Sequence, residues 1–292
     1  MILLTVVTPS GPKLAVKVAS GIAIIENAQT RKASLPETLQ DALAMPGGLD
    51  RLREFVRRDP SEKPGSDRFP AEGEVGIGLP FKPRNLMCIG LNYKDHAAES
   101  GVALPDKPVV FAKLTSCVLG PRDPIVIPPD SREVDYEAEL AIVIGRTCRG
   151  VSASQALDYV AGYTCMNDVS ARDFQRSDGQ WVRAKSQDTF GPLGPYLVTT
   201  EDIPDPQALS IRCRVNGQLL QDSNTSNMIF GVRDLIEFIS RGITLQPGDV
   251  ISTGTPPGVG FARKPPLFLH PGDRVEVEIQ NLGKLDNQVV AK

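Results

Sequence analysis

Histidine is nearly absent from this chain. Its 292 residues include two, His96 and His270, and a single tryptophan. A mechanism that moves protons through imidazole therefore has almost no choice of residue. The five cysteines are odd in number, and no two stand at Cys-x-x-Cys spacing. That argues against a disulfide framework or a zinc site and for reduced core thiols in a cytoplasmic protein. Positive charge is not in excess: 32 Lys and Arg face 35 Asp and Glu, for a net charge of -3. Nucleic acid and anionic membrane surfaces are poor partners for such a chain. No apolar run approaches the length of a membrane span. The opening MILLTVVTPSGPKLAVKV has no basic leader and runs into a turn, so it reads as a first strand and not as a signal peptide. Two catalytic signatures are also missing. There is no Gly-x-Ser-x-Gly elbow, and the Gly-rich loop at 253–260 (TGTPPGVG) lacks the Gly-Lys-Ser/Thr of a phosphate loop and has no helix-like run after it.

Glycine and proline are abundant, at 26 and 25. This favours short strands and turns over a helical bundle. Strand-like segments open the chain (ILLTVVT, LAVKV, IAIIEN), and residues 36–58 have helical periodicity broken by Pro46-Gly47-Gly48. Residues 59–84 are rich in Pro, Gly and charge and read as a linker, so the chain divides into a small N-terminal unit, 1–80, and a main domain, 81–292. In the main domain, Leu86 to Gly90 is a short buried strand, and the next residues form a short helix stopped by Gly101. Strands follow at 109–113, 125–127 and 160–168, then a Gly/Pro-rich loop at 176–195. Asn216-Gly217 between 209–215 and 219–221 is a hairpin signal. One amphipathic helix carries Val232, Leu235, Ile236 and Ile239. The fold class is mainly β, with a few helices, α+β overall.

The stretch VDYEAELAIVIG, 134–145, organises the rest. It reads as a strand, so Glu137 and Glu139 share a face about 7 Å apart at Cα. The run turns continuously apolar after Glu139, as if entering a core. Two carboxylates at that entrance repel each other unless a cation lies between them. An exposed acidic edge is the alternative. Asp168 is a third acid, at the end of an apolar strand. By itself it also suits the N-cap of a helix over 170–175. Taken with Glu137 and Glu139 it completes an oxygen site for Mg²⁺, Mn²⁺ or Ca²⁺. His96 and Glu99 stand three apart on one helix face, as a general base oriented by a carboxylate or as a surface pair. Lys185 lies in a weakly charged loop, where it either stabilises an oxyanion or is simply solvated. Arg172 and Gln175, three apart, have the chemistry to hold a carboxylate. Thr255 and Tyr93 are further polar candidates near the same motifs.

The motifs IGLNYKDHAAESG (89–101), DYEAELAIVIG (135–145), NDVSARDFQ (167–175), AKS (184–186), VNGQLLQ (215–221) and TGTPPGVG (253–260), in this order, resemble the fumarylacetoacetate hydrolase (FAH) family. The resemblance covers about 85–262. It implies a mixed β-sandwich roll, usually a homodimer, with a small N-terminal α+β domain. It implies a metal held by Glu137, Glu139 and Asp168, and a His96–Glu99 dyad with Lys185 in catalysis. It makes Tyr93, Arg172, Gln175 and Thr255 substrate contacts. The substrate is then a 2-oxo or 2,4-dioxo acid. The expected activity is metal-dependent hydrolysis of a carbon–carbon bond by His/Glu-activated water. Oxaloacetate decarboxylation, keto–enol tautomerisation and 2-oxo-acid hydration are alternatives on the same site. The family's acylpyruvase branch carries Arg just before Asn-Tyr. This chain has Leu91 there, so that direct contact to substrate is missing.

Overall fold

The computed structural model describes residues 1–25, 35–57, 69–101 and 103–292. The end of the third N-terminal segment and the first part of the proposed linker lie outside them. The larger sheet runs, in spatial order, Gly21–Ile24, Gly11–Val18, Ile2–Thr8, Gly191–Thr199, Val160–Asn167, Ala138–Ile144, Val250–Ser252, Leu86–Gly90, Val109–Lys113. Neighbours in this order are antiparallel except Val250–Ser252 beside Leu86–Gly90. A five-stranded sheet is ordered Gln218–Asn224, Ser210–Val215, Arg274–Ile279, Gly283–Ala291, Ile125–Ile127. The two sheets meet where Val160–Asn167 contacts Arg274–Ile279 and Gly283–Ala291. This is the mainly β architecture expected, and burial alternates residue by residue along Ser210–Val215, the second strand of the five-stranded sheet. All five cysteines are buried and free.

The N-terminal strands are one end of the larger sheet. Ile2 and Leu3 pair with Val198 and Leu197, so the proposed unit 1–80 shares a sheet with 81–292. The helical stretch divides as its Pro-Gly-Gly requires, into Leu39–Ala44 and Gly48–Arg57. Thr38 caps the first: its hydroxyl accepts from the Asp41 N–H at 3.1 Å, and Asp41 returns a bond to the Thr38 N–H. The Asn216-Gly217 hairpin has both central residues at positive φ, 53° and 80°, as a two-residue turn of this kind demands.

Two expectations need correction. The loop at 176–195 contains a helix, Val182–Lys185, and its end is the start of Gly191–Thr199, a strand buried at every residue. Pro192 and Pro195 withhold N–H donors, which disguises the strand in sequence. The pairing with Val160–Asn167 shifts register in the same neighbourhood. The Val134–Gly145 stretch is likewise not one strand. Val134–Asp135 pairs with Ser170–Ala171, and a separate strand begins at Ala138.

The helix after Asp168 is Arg172–Asp178. Its N-cap is Ala171, with no side-chain bond, so Asp168 is not its cap. Its first turn is tied down by Asp173 instead. That carboxylate accepts from the Ser131 hydroxyl at 2.9 Å and from the N–H groups of Arg132 and Phe174 at 2.8 and 2.9 Å. Burial works against the charge of Asp173, but these donors outweigh it and hold its carboxyl below the usual range. A carboxyl with a lowered folded pKa adds stability above its unfolded pKa and loses it as pH falls through the folded value. Asp173→Asn is therefore expected to cost about 1 kcal/mol at neutral pH, a capping-sized effect on a half-exposed group. The gap should narrow below about pH 4. Urea titrations at two pH values check this, and a gap independent of pH would count against it.

Candidate metal centre and active site

Ala138–Ile144 is a central strand, paired with Val160–Asn167 on one side and Val250–Ser252 on the other. The acidic pair is therefore not on an exposed edge: Glu137 is 5% and Glu139 1% exposed. The register pairs Ala138 with Asn167. This sets Asp168 beside Glu137, whose carbonyl accepts from the Asp168 N–H at 2.9 Å. The Asn167 side chain accepts from the Glu137 N–H at 2.9 Å and so fixes the same corner. One carboxylate oxygen from each of Glu137, Glu139 and Asp168 lies within 4.8 Å of the others.

Three buried cations face these acids. Lys185 Nζ donates to Glu137 Oε2 at 2.6 Å and to Asp168 Oδ2 at 2.7 Å. Lys113 donates to the other Asp168 oxygen and to the carbonyls of Phe190 and Val169 at 2.8 and 3.2 Å. Arg172 bridges Asp135, through Nε at 2.9 Å, and Glu137, through Nη2 at 2.5 Å. Burial penalises every one of these charges. For Glu137, Arg172 and Lys185 outweigh burial and hold its carboxyl well below the usual range. Burial alone would depress Lys185, but Asp168 and Glu137 reverse that and raise its pKa. Glu139 is different. Burial raises its carboxyl well above the usual range, and Asp168 and Glu137 add to the rise. Its protein donors are the Ser252 hydroxyl at 2.5 Å and the Gly254 N–H at 3.0 Å, both on Oε2.

That asymmetry is the test of whether a cation fits. Asp135, Glu137, Glu139 and Asp168 are buried with Lys113, Arg172 and Lys185, which leaves one negative charge over. The uncompensated acid is Glu139, and its Oε1 has no protein donor among the described residues. Three converging hard oxygen donors suit a divalent cation of the Mg²⁺, Mn²⁺ or Ca²⁺ kind.

His96 and Glu99 meet on the helix Lys94–Ser100, with His96 Nδ1 and Glu99 Oε2 3.1 Å apart. Glu99 also accepts from the Gly258 N–H at 3.0 Å, which joins the dyad to the Gly-rich loop. Asp95 anchors the helix by accepting from the Ser223 hydroxyl at 3.0 Å. With Nδ1 engaged, His96 keeps Nε2 for a proton. Asn92 grips the same region: its side chain donates to the Thr253 carbonyl at 2.7 Å and accepts from the Phe230 N–H at 2.9 Å. The Tyr93 phenol is buried without a hydrogen-bond partner. Burial, then Glu139 and Asp95, push its pKa up, so it stays protonated as a donor.

The expected substrate contacts separate into two kinds. Tyr93 has an unused hydroxyl. Arg172 has none of its nitrogens idle: Asp135, Glu137 and Gln175 take Nε, Nη2 and Nη1, the last at 3.0 Å. It organises the centre, and Gln175 organises it. Thr255 donates to the Ala138 carbonyl at 3.0 Å and accepts from Gln221 at 2.8 Å, so its hydroxyl also serves the framework. Lys113, Asp135, Gln221 and Ser252 complete the site without having been singled out in the sequence. Lys113 gives a weak signal, as a lysine closing the strand run Val-Val-Phe-Ala. Asp135 and Gln221 lie inside quoted motifs but carry no spacing that marks them.

The model of the fumarylacetoacetate (FAA) hydrolase C-terminal domain matches residues 85–290. The chain belongs to the fumarylacetoacetate hydrolase family. Its relatives in that family include "Oxaloacetate tautomerase FAHD2B, mitochondrial" of Bos taurus, 44% identical over 284 residues, which are 96% of this chain and 88% of that protein. "Oxaloacetate tautomerase Fahd2a, mitochondrial" of Rattus norvegicus is 51% identical over 210 residues, 72% of this chain and 67% of its own. Among solved structures, a fumarylacetoacetate hydrolase from Exiguobacterium antarcticum superposes with a TM-score of 0.84 at 36% identity, covering all of both chains. A 2-hydroxyhepta-2,4-diene-1,7-dioate isomerase from Mycobacterium marinum gives 0.77 at 37% identity, covering 100% of this chain and 99% of that one. Family members are thus enzymes, with oxaloacetate tautomerases and an isomerase among those named. Family enzymes depend on divalent metals, and the buried triad of this chain could bind one. No helix among the described residues is long and apolar enough to cross a membrane.

Proposed function

We propose that the chain is a divalent-metal-dependent tautomerase that interconverts the keto and enol forms of oxaloacetate. The observation that carries this is a buried three-carboxylate cluster beside a protonated lysine, in a chain 44% identical along 96% of its length to a protein named oxaloacetate tautomerase. Glu137, Glu139 and Asp168 would hold the metal. A Mg²⁺ or Mn²⁺ ion supplies Lewis-acid stabilisation of negative charge on the 2-oxo oxygen. His96, oriented by Glu99, takes a proton from C3 of the keto form, and the C2 oxygen gains one, so no carbon–carbon bond breaks. Lys185, kept protonated by Glu137 and Asp168, faces the developing enolate charge. The Tyr93 hydroxyl supplies a further donor. The relatives' names move the balance from hydrolysis to tautomerisation. Hydrolysis of a 2,4-dioxo acid is the second reading, favoured by the His96–Glu99 pair, which has the chemistry to activate water. A homodimer is proposed from the family resemblance. The named relatives are mitochondrial, so a cytoplasmic location finds no support in them.

The test follows enol absorbance of oxaloacetate, carbon dioxide release from it, and cleavage of an acylpyruvate, all with Mn²⁺ or with chelator. Rapid, chelator-sensitive ketonisation with slower acylpyruvate cleavage is expected. Ketonisation no faster than in buffer would overturn the proposal. His96→Asn is expected to lower kcat about a hundredfold or more, as loss of a general base does. Glu99→Gln is expected to cost less and to shift the pH profile of kcat/KM. A His96→Asn enzyme at full rate would remove His96 from the mechanism.

A further inference from the structure

An open cleft of about 520 Å³ lies beside the dyad. Glu99 forms one wall, and Arg263, Lys264 and Leu267 form the other. Its rim is fastened to the metal centre through one carboxylate. Asp135, which holds Arg172, also accepts from the N–H groups of Gly260 and Phe261, at 2.6 and 3.1 Å. The Leu267 N–H closes the loop on the Gly260 carbonyl at 3.0 Å. The cations on this rim are unlike those inside. Lys113, Arg172 and Lys185 are each tied to buried carboxylates. Neither Arg263 nor Lys264 has a carboxylate partner among the described residues. Arg263 makes long contacts, 3.4 Å, to the carbonyls of Leu220 and Gly258 and lies near the Tyr136 phenol. Lys264 is exposed. The one acid among the described residues of the cleft wall, Glu99, is occupied by His96 and the Gly258 N–H.

We propose that Arg263 and Lys264 bind the distal carboxylate of the substrate and make this a site for 2-oxo diacids. The inference rests on the reading of the centre as a 2-oxo-acid site and names what selects among such acids. The inner cations do not supply this selection: Lys113 and Arg172 have every nitrogen engaged by the centre, and Lys185 is assigned to the 2-oxo end of the substrate. Leu91 cannot supply it either, having no charge. A guanidinium with unfilled donors and an ammonium beside it match a second carboxylate. A monoacid would leave both unanswered.

The experiment compares two ligand pairs that differ in the distal charge alone. Calorimetry on Mn²⁺-loaded protein measures 2-oxoglutarate and its distal methyl ester. Kinetics measure oxaloacetate and its distal methyl ester. Wild type is expected to favour each diacid over its ester about tenfold. Arg263→Gln and Lys264→Glu are each expected to erase most of that preference, through KM more than kcat. Lys264 is exposed and has no hydrogen bond or ion pair among the described residues, so Lys264→Glu keeps the test independent of folding. Undiminished preference for the diacid in both variants, or equal loss for diacid and ester, would overturn the proposal. Diacid preference in binding without oxaloacetate turnover would keep this pocket and remove the tautomerase. Turnover without any diacid preference would do the reverse.

Discussion

Replacing Glu139 with glutamine is expected to weaken Mn²⁺ binding by more than about a hundredfold and activity by a similar factor. The substitution is chosen because it keeps the shape. Glutamine retains an oxygen for the Ser252 hydroxyl and the Gly254 N–H, the two donors that hold Glu139 in place. What it removes is the buried charge without a cation partner. Stability gives a second readout. Burial and the neighbouring Asp168 and Glu137 raise the Glu139 carboxyl in the folded protein. A carboxyl raised above its unfolded pKa contributes stability below that pKa and loses it as pH rises through the folded one. In chelator, the glutamine variant should therefore be more stable than wild type at alkaline pH, with the gap closing on acidification. Added Mn²⁺ should raise the Tm of wild type in proportion to the logarithm of its excess over Kd and leave the variant unmoved. Mn²⁺ affinity of wild type should also rise with pH, since binding displaces a proton. A variant that binds Mn²⁺ as wild type does would remove Glu139 from the metal site.

Arg172→Met is expected to be the most destabilising single change in the site, at about 3–5 kcal/mol. In a chain of this size that is a Tm fall on the order of 10 °C. The guanidinium is buried and joins Asp135 to Glu137, and it lies 4.4 Å from the centroid of the Phe261 ring. Without it, buried Asp135 loses its counter-charge and buried Glu137 keeps only Lys185. Burial already raises Asp135 against the opposing pull of Arg172, so its charge would be hard to keep. Lysine is not expected to rescue, because one ammonium does not reproduce a planar fork with donors to both acids. Asp135→Asn in the same chain should recover part of the loss by removing one stranded charge. Urea denaturation of the three variants decides the matter. Wild-type stability in Arg172→Met would show that the buried bridge contributes nothing.

Much of this arrangement was legible because it depends on short-range regularities. The alternation of Glu137 and Glu139, the helix stop at Gly101 and the Asn216-Gly217 turn are properties of a few adjacent residues. Their environment was not legible. Whether Glu139 faces water or a core depends on Val250–Ser252, more than 100 residues away, which covers the strand's other side. Asp168 suited a helix cap just as well in sequence, since cap and ligand both ask for an acid after a strand. The helix instead begins later, at Arg172. Gly191–Thr199 was hidden by its own prolines. Lys113 was hidden by chemistry: a strand-end lysine is usually solvated, and it becomes meaningful only when Asp168, Val169 and Phe190 close around it.

The way Asp135 holds the cleft rim has an evolutionary consequence. It fastens the loop by main-chain N–H groups at 260 and 261, which every residue but proline can offer. Side chains beyond Phe261, whose ring packs on Arg172, can therefore change under selection for new acids without loosening the catalytic centre. Gly260 is the exception. A Cβ there would lie 1.9 Å from the Leu267 carbonyl oxygen and 2.6 Å from Asp135 Oδ1. Lineages that retune specificity are expected to vary 263 and 264 freely and to keep glycine at 260. The fold thus separates an invariant reaction from an adaptable choice of molecule, with a single aspartate at the join.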